Sequence, residues 1–198
     1  LGFGNRVGPP IGLVALGLTL ERVWATIAKR HREVPRFAVI GYGKLGGKEL
    51  GYVSDLDLIF LFDDDHPDAP VVYSVLARRL VTWLTAQTSS GNLFDIDLRL
   101  RPNGNAGLMV SALDAFSRYQ RNEDGMGAWV WEHQALTRAR HCAGDFELGH
   151  RFEAERVHVL TQERDLAKLK SEVLAMRQKM LDGHPNTSAL FDLKHDRG

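Results

Sequence analysis

Early in the chain, Gly43-Lys44-Leu45-Gly46-Gly47 is followed by Ser54-Asp55-Leu56-Asp57-Leu58. Strand residues alternate between faces, so Asp55 and Asp57 point the same way while Leu56 and Leu58 point into the core. Two carboxylates held side by side repel unless a cation sits between them, and hard oxygen ligands suit Mg²⁺. The glycine turn before them lets backbone approach phosphates, because no Cβ intervenes. These residue types at this spacing fit Mg²⁺ carrying a nucleoside triphosphate, and the chemistry they suggest is nucleotidyl transfer.

Gly41-Tyr42-Gly43-Lys44-Leu45-Gly46 also matches the G-x-G-x-x-G of dinucleotide-binding folds, with Asp63 to Asp65 standing where the ribose-binding acid would fall. Spacing rejects that reading. A parallel crossover needs roughly a dozen or more residues, and only seven separate Gly47 from Asp55. No G-x-x-x-x-G-K-[ST] occurs, which excludes a P-loop.

The stretch from Asn92 to Arg101 supplies the rest of the expected site. Phe94, Ile96, Leu98 and Leu100 fall on one face; Asp95, Asp97, Arg99 and Arg101 fall on the other. If this strand lies beside the first pair, Asp97 completes three carboxylates, the set a two-metal phosphoryl centre uses. Asp97 is then also the expected proton acceptor for a hydroxyl nucleophile, and Asp95 is peripheral. Arg99 and Arg101, roughly 7 and 14 Å further along the strand, would meet triphosphate oxygens with planar multi-donor contacts. Gly43, Lys44, Gly46, Gly47 and Ser54 are the remaining expected nucleotide contacts.

The elements that must position these residues are legible in outline. Leu13, Leu16, Leu20, Val23 and Ile27 recur at helical spacing from Ile11 to about His31. Arg36 to Gly41 and Asp55 to Phe62 read as strands, joined by the glycine turn and one turn of helix at Lys48 to Leu50. Asp63 to Asp68 reads as a solvated acidic loop. A helix over about 69–88, a short strand at Leu108-Met109-Val110, a helix from Ser111 to about Asn122 and another through Trp129 and Trp131 to about Ala139 follow. Beyond Gly144 the pattern is helical. Leu166, Leu169, Val173, Met176 and Met180 form a stripe after a start signal at Thr161, read as packing on its own domain rather than binding a partner. Phe191 to Lys194 reads as one more strand. The fold class is α+β, a mixed sheet with flanking helices: an N-terminal helical lead-in (1–34), a core (35–143) and a C-terminal helical segment (144–198).

Lys+Arg and Asp+Glu number 25 each, so no net field draws the chain to nucleic acid or an anionic membrane. The apolar stretch Ile11 to Leu20 ends at Glu21 and Arg22, too short to span a bilayer. A single cysteine, Cys142, excludes an internal disulfide framework and fits a reducing, cytoplasmic setting. Its neighbour His141 makes a loop or helix-end pair, not a metal site. The first residue is Leu and no charged leader follows, so an excised piece is expected.

Gly43-Lys44 followed by Ser54-Asp55-Leu56-Asp57 resembles the signature of polymerase β-type nucleotidyltransferases, with Lys44 where that family usually has serine. The runs Phe37 to Phe60, Asp97-Leu98-Arg99-Leu100-Arg101-Pro102 and Trp131-Glu132-His133-Gln134 to Arg140 are similar to glutamine synthetase adenylyltransferase. That family has two homologous domains, one attaching AMP from ATP to a tyrosine of glutamine synthetase and one removing it by phosphorolysis. The Gly-Tyr-Gly-Lys and Trp-Glu-His-Gln versions resemble the attaching, C-terminal half. The resemblance implies Mg²⁺, ATP and glutamine synthetase as a protein substrate, with a PII-type nitrogen signalling protein and glutamine as regulators. It also implies that a further element beyond Gly198 completes the domain. The alternatives are the AMP-removing half, a small-molecule nucleotidyltransferase of the same fold, and a non-catalytic binding module; intact Asp55, Asp57 and Asp97 disfavour the last.

Overall fold

The computed structural model describes residues 8–51, 54–87, 89, 91, 93–123, 125 and 127–183, with side chains from residue 12 onward. The expected strand at Phe191 to Lys194 lies outside the described residues.

Two strands form the centre. Strand β1 (Phe37–Gly41) and strand β2 (Leu56–Phe62) pair antiparallel, with Phe37 opposite Phe62 and Gly41 opposite Leu58. Both read as near-continuous apolar runs because helices cover both faces. Phe37, Val39, Leu56, Leu58, Phe60 and Phe62 face one cluster. It is shared with helix α1 (Gly8–Ala25), through Leu16, Leu20, Val23 and Trp24, and with helix α3 (Ala69–Leu84), through Val72, Leu76 and Leu80. Ala38, Ile40, Ile59 and Leu61 face the opposite cluster, with Phe116 of helix α4 (Leu113–Arg121), Leu136 of helix α5 (Val130–Leu136) and Phe152 of helix α6 (Phe146–Leu160).

Three shorter strands flank the pair. Strand β3 (Ile96–Asp97) and strand β4 (Val110–Ala112) lie in series along the free edge of β2, both parallel to it. Strand β5 (Arg140–Gly144) pairs antiparallel with β1 on the other side. The sheet order is β3-β2-β1-β5, with β4 also on β2, an α+β fold with a mixed open sheet.

Several expectations are corrected. The long strand over 92–101 is cut to two residues. Asp97 Oδ1 accepts a hydrogen bond from the backbone N–H of Arg99 at 2.8 Å, an Asx turn that lifts the chain off the sheet. Asn103 and Gly104 then take left-handed backbone (φ 61° and 53°), and the chain returns only at β4. The helical turn expected at Lys48 to Leu50 falls earlier, as helix α2 (Gly43–Gly46).

The loop after β2 is not simply solvated. Asp63 pairs with Arg36 at 2.8 Å and with Arg151, and the buried Asp64 carboxylate accepts from the Tyr73 hydroxyl at 2.7 Å and lies 2.9 Å from His31 Nε2. His141 and Cys142 lie in β5 rather than a loop or helix end. Among the described residues the C-terminal region holds two helices, α6 and α7 (Leu166–Gly183); Asp145 caps the first through Leu148 N–H at 2.8 Å. Helix α7 packs against α5 of the same chain, with Leu169 and Met176 of its stripe half-buried and none of its residues fully buried.

Candidate active site

Asp55 immediately precedes β2, Asp57 is its second residue, and Asp97 ends β3. In the parallel register Asp57 stands directly opposite Asp97. One carboxylate oxygen from each of Asp55, Asp57 and Asp97 lies within 4.8 Å of the others, so the sheet brings the three expected residues together. Face alternation accounts for the grouping: Asp57 has the same parity as Ile59 and Leu61, but at the strand's leading end.

The electrostatics of this corner are those of a site short of positive charge. Burial pushes the Asp57 carboxyl above its ordinary range, and the carboxylates of Asp55 and Asp97 push it further. Hydrogen bonds from Arg99 hold Asp97 below that range, the guanidinium donating to Asp97 Oδ2 from Nε at 2.7 Å and also from its terminal nitrogen. Three converging carboxylates, one destabilised by the other two, suit a hard divalent cation.

The glycine turn presses on this cluster. Tyr42 N–H donates to the Asp57 carbonyl at 2.9 Å, joining the end of β1 to the start of β2. Gly43 follows with φ 52°, and a Cβ built there would drive into the Asp57 carboxylate. Glycine is therefore required at position 43 twice over, by conformation and by space. Gly46 is required for another reason: a Cβ there would collide with the carbonyls of Arg138 and Gly41. Gly47 lies against the Arg138 guanidinium. Lys44 is exposed and its charge favours the ionised form of Asp57. Ser54 is buried, its hydroxyl accepting from Gly51 N–H at 3.1 Å.

The two arginines do not line a strand. Arg99 is largely exposed and folded back onto Asp97. Arg101 donates to the carbonyls of Leu98 at 2.8 Å, Asn105 at 3.2 Å and Gly107 at 3.3 Å, bracing the loop between β3 and β4. The spacing of 7 and 14 Å along one strand is corrected with the strand itself.

Two residues near the site escaped the sequence reading. Arg138 Nε donates to the Gly43 carbonyl at 3.2 Å, and Arg140 donates to the Leu45 carbonyl at 3.0 Å. The two ends of these bonds are 95 positions apart, so no local pattern announces them. Glu132 and His133 serve the packing of α5. Glu132 accepts from the Tyr119 hydroxyl at 3.0 Å and from Trp129 N–H at 2.8 Å. His133 Nε2 donates to the Gln120 carbonyl at 2.9 Å, leaving Nδ1 to accept from Arg164.

A mixed sheet with helices on both faces and acidic residues gathered at one end is a nucleotidyltransferase-type fold. Residues 14–155 match the family model of glutamate-ammonia ligase adenylyltransferase, and the chain belongs to that family. It is 64% identical over 183 residues to a bifunctional glutamine synthetase adenylyltransferase/adenylyl-removing enzyme of Ralstonia nicotianae, covering 92% of this chain and 19% of the relative. Proteins of the same description from Chromobacterium violaceum and Nitrosomonas europaea are 62% and 59% identical, covering 93% and 90% of this chain and 20% and 19% of theirs. The chain thus spans about a fifth of the length of the curated relatives it matches. No helix among the described residues is long and apolar enough to cross a membrane.

Proposed function

We propose that this chain is a nucleotidyltransferase unit that moves AMP from ATP to a tyrosine hydroxyl of glutamine synthetase. The observation that carries the reading is the convergence of Asp55, Asp57 and Asp97 against Gly43, in a chain of the glutamate-ammonia ligase adenylyltransferase family.

Asp55, Asp57 and Asp97 would hold Mg²⁺, whose charge, when bound, offsets the negative charge that builds on the phosphate oxygens. A tyrosine hydroxyl has an ordinary pKa of about 10 and is protonated at neutral pH. As it attacks the α-phosphorus, the new O–P bond forms, the bond to pyrophosphate breaks, and the phenolic proton passes to a carboxylate. Asp97 is that acceptor. Arg99, exposed and bound to Asp97, exchanges this carboxylate for phosphate oxygens and so restores Asp97's basicity. Gly43, Lys44, Gly46 and Gly47 carry the phosphates along the α2 turn, with Ser54 holding the loop behind it. Arg101 acts through the loop it braces.

Attachment, rather than removal, of AMP is the direction favoured by the Gly-Tyr-Gly-Lys and Trp-Glu-His-Gln resemblance. A cytoplasmic setting, and control of the whole protein by a PII-type signalling protein and by glutamine, belong to the same proposal. The test is incubation with α-labelled ATP, Mg²⁺ and glutamine synthetase. Label on a glutamine synthetase tyrosine, lost in Asp55→Asn, is the expected result. Phosphate-dependent release of AMP from already modified glutamine synthetase, with no attachment, would assign the removing activity instead.

A further inference from the structure

The charged side chains at this end of the sheet follow an order across the strands. Asp97 of β3 comes first, then Asp55 and Asp57 at β2, then the glycine turn after β1, then Arg138 in the turn before β5 and Arg140 at its start. One residue, Gly43, connects the two charge groups: its Cα faces the Asp57 carboxylate and its carbonyl accepts from Arg138 Nε at 3.2 Å. Behind the turn opens a cavity of about 450 Å³, lined by Gly46, Gly47, Glu49, Arg138, Arg140 and Arg156 among others.

We infer that Arg138 is the polyphosphate clamp of this site, gripping the β- and γ-phosphates of the nucleotide where this cavity meets the glycine turn, a role the sequence had suggested for Arg99 or Arg101. The inference rests on the nucleotidyl-transfer reading and names the residue that receives the leaving pyrophosphate.

Three observations converge on it. Arg101 spends its donors on three backbone carbonyls, whereas Arg138 is about half exposed and pairs through its terminal nitrogen with Glu49 at 2.5 Å. Glu49 is itself 62% exposed, and an exposed ion pair is held weakly, so a polyphosphate offering several anionic oxygens displaces it. Second, the cavity wall holds more positive than negative charge. Glu49 and Glu153 answer Arg138 and Arg156, at 2.5 and 2.9 Å, which leaves Arg140 with a buried Nε that has no hydrogen-bond partner among the described residues. Third, Arg138 already holds the glycine turn, so a phosphate on its remaining donors is placed next to that turn's backbone without reorganising the loop.

The experiment is calorimetric titration of the full chain with Mg-ATP, AMP and inorganic tripolyphosphate, for wild type, Arg138→Ala, Arg138→Lys and Glu49→Gln. Arg138→Ala is expected to weaken ATP and tripolyphosphate about tenfold or more while leaving AMP unchanged, because AMP lacks the gripped phosphates. Arg138→Lys keeps the charge without the fork and falls between the two. Glu49→Gln frees the guanidinium and tightens tripolyphosphate by about threefold. Equal losses for ATP and AMP would make Arg138 a brace of the turn and overturn the clamp, as would unchanged ATP binding in Arg138→Ala or absence of tripolyphosphate binding in the wild type. Arg138-dependent tripolyphosphate binding in a chain that transfers no AMP would uphold the clamp and remove only the proposed function.

Discussion

At the scale of single residues, the site depends on one glycine as much as on three acids. Gly43 takes a conformation that side chains rarely adopt, and its Cα occupies the space beside the Asp57 carboxylate. Gly43→Ala should therefore act on function more than on folding. The left-handed backbone costs about 1 kcal/mol, while the new methyl displaces Asp57 from its partners and transfer should fall by at least about two orders of magnitude. Measuring the thermal midpoint alongside AMP transfer checks this; loss of both in proportion would mean that the glycine serves folding alone. The acids were legible because their chemistry is written in a two-residue alternation, and Asp57 and Asp97 do meet across a strand pair. Arg138 was not legible: its bond to Gly43 closes a loop of 95 positions. Sequence spacing reports neighbours along an element, and says little about which turn an element's end will touch.

Among the elements, the central pair β1 and β2 was readable because continuous apolar runs with helices on both faces leave little choice of partner or register. β3 was overread. Alternation over 92–101 is real, but the Asp97 side chain competes for the Arg99 amide and ends the ladder after two residues. β5 was missed because Arg140-His141-Cys142-Ala143-Gly144 has no alternating apolar pattern; it is a strand because β1 offers it a free edge. The α7 stripe read as a helix packing on its own domain, and the helix lies against α5 with Leu169 and Met176 half-buried. The loop between β3 and β4 gives the prediction at this scale. Arg101 replaces strand pairing there with three bonds to carbonyls, each contributing roughly 0.5–1.5 kcal/mol. Arg101→Ala should lower stability by about 1–3 kcal/mol in chemical denaturation. Arg99→Ala, whose side chain is 74% exposed, should leave stability within about 0.5 kcal/mol of wild type. The opposite ranking would show that the three carbonyl bonds of Arg101 do not hold the loop.

Across the whole molecule, the far end of β2, opposite the acidic cluster, is tied to distant parts of the chain through Asp64. His31 precedes β1, Asp64 follows β2, and Tyr73 lies in α3, so one carboxylate joins three segments. Burial alone would raise its pKa, but hydrogen bonds from His31, Tyr73 and the His66 amide, with the charge of Arg32, outweigh burial and hold it at about 2. A carboxyl depressed on folding contributes stability above its unfolded value and loses it as pH falls through the folded one. The contribution is complete above about pH 4 and gone near pH 2. Asp64→Asn should thus lower the thermal midpoint at neutral pH, and the gap to wild type should close between these values. A gap that stays constant down to pH 2 would show that Asp64 matters by shape rather than by charge.

The central claim is that Asp55, Asp57 and Asp97 act as one cation-binding centre for nucleotidyl transfer. Its most direct test is titration with Mn²⁺, a paramagnetic stand-in for Mg²⁺, in the presence of a non-hydrolysable ATP analogue, following bound ion by electron paramagnetic resonance. Wild type should bind the ion, and Asp55→Asn, Asp57→Asn and Asp97→Asn should each weaken it by about tenfold or more. Binding in all three variants as tight as in wild type would contradict the account, leaving the carboxylate cluster an acidic surface without a cation to hold.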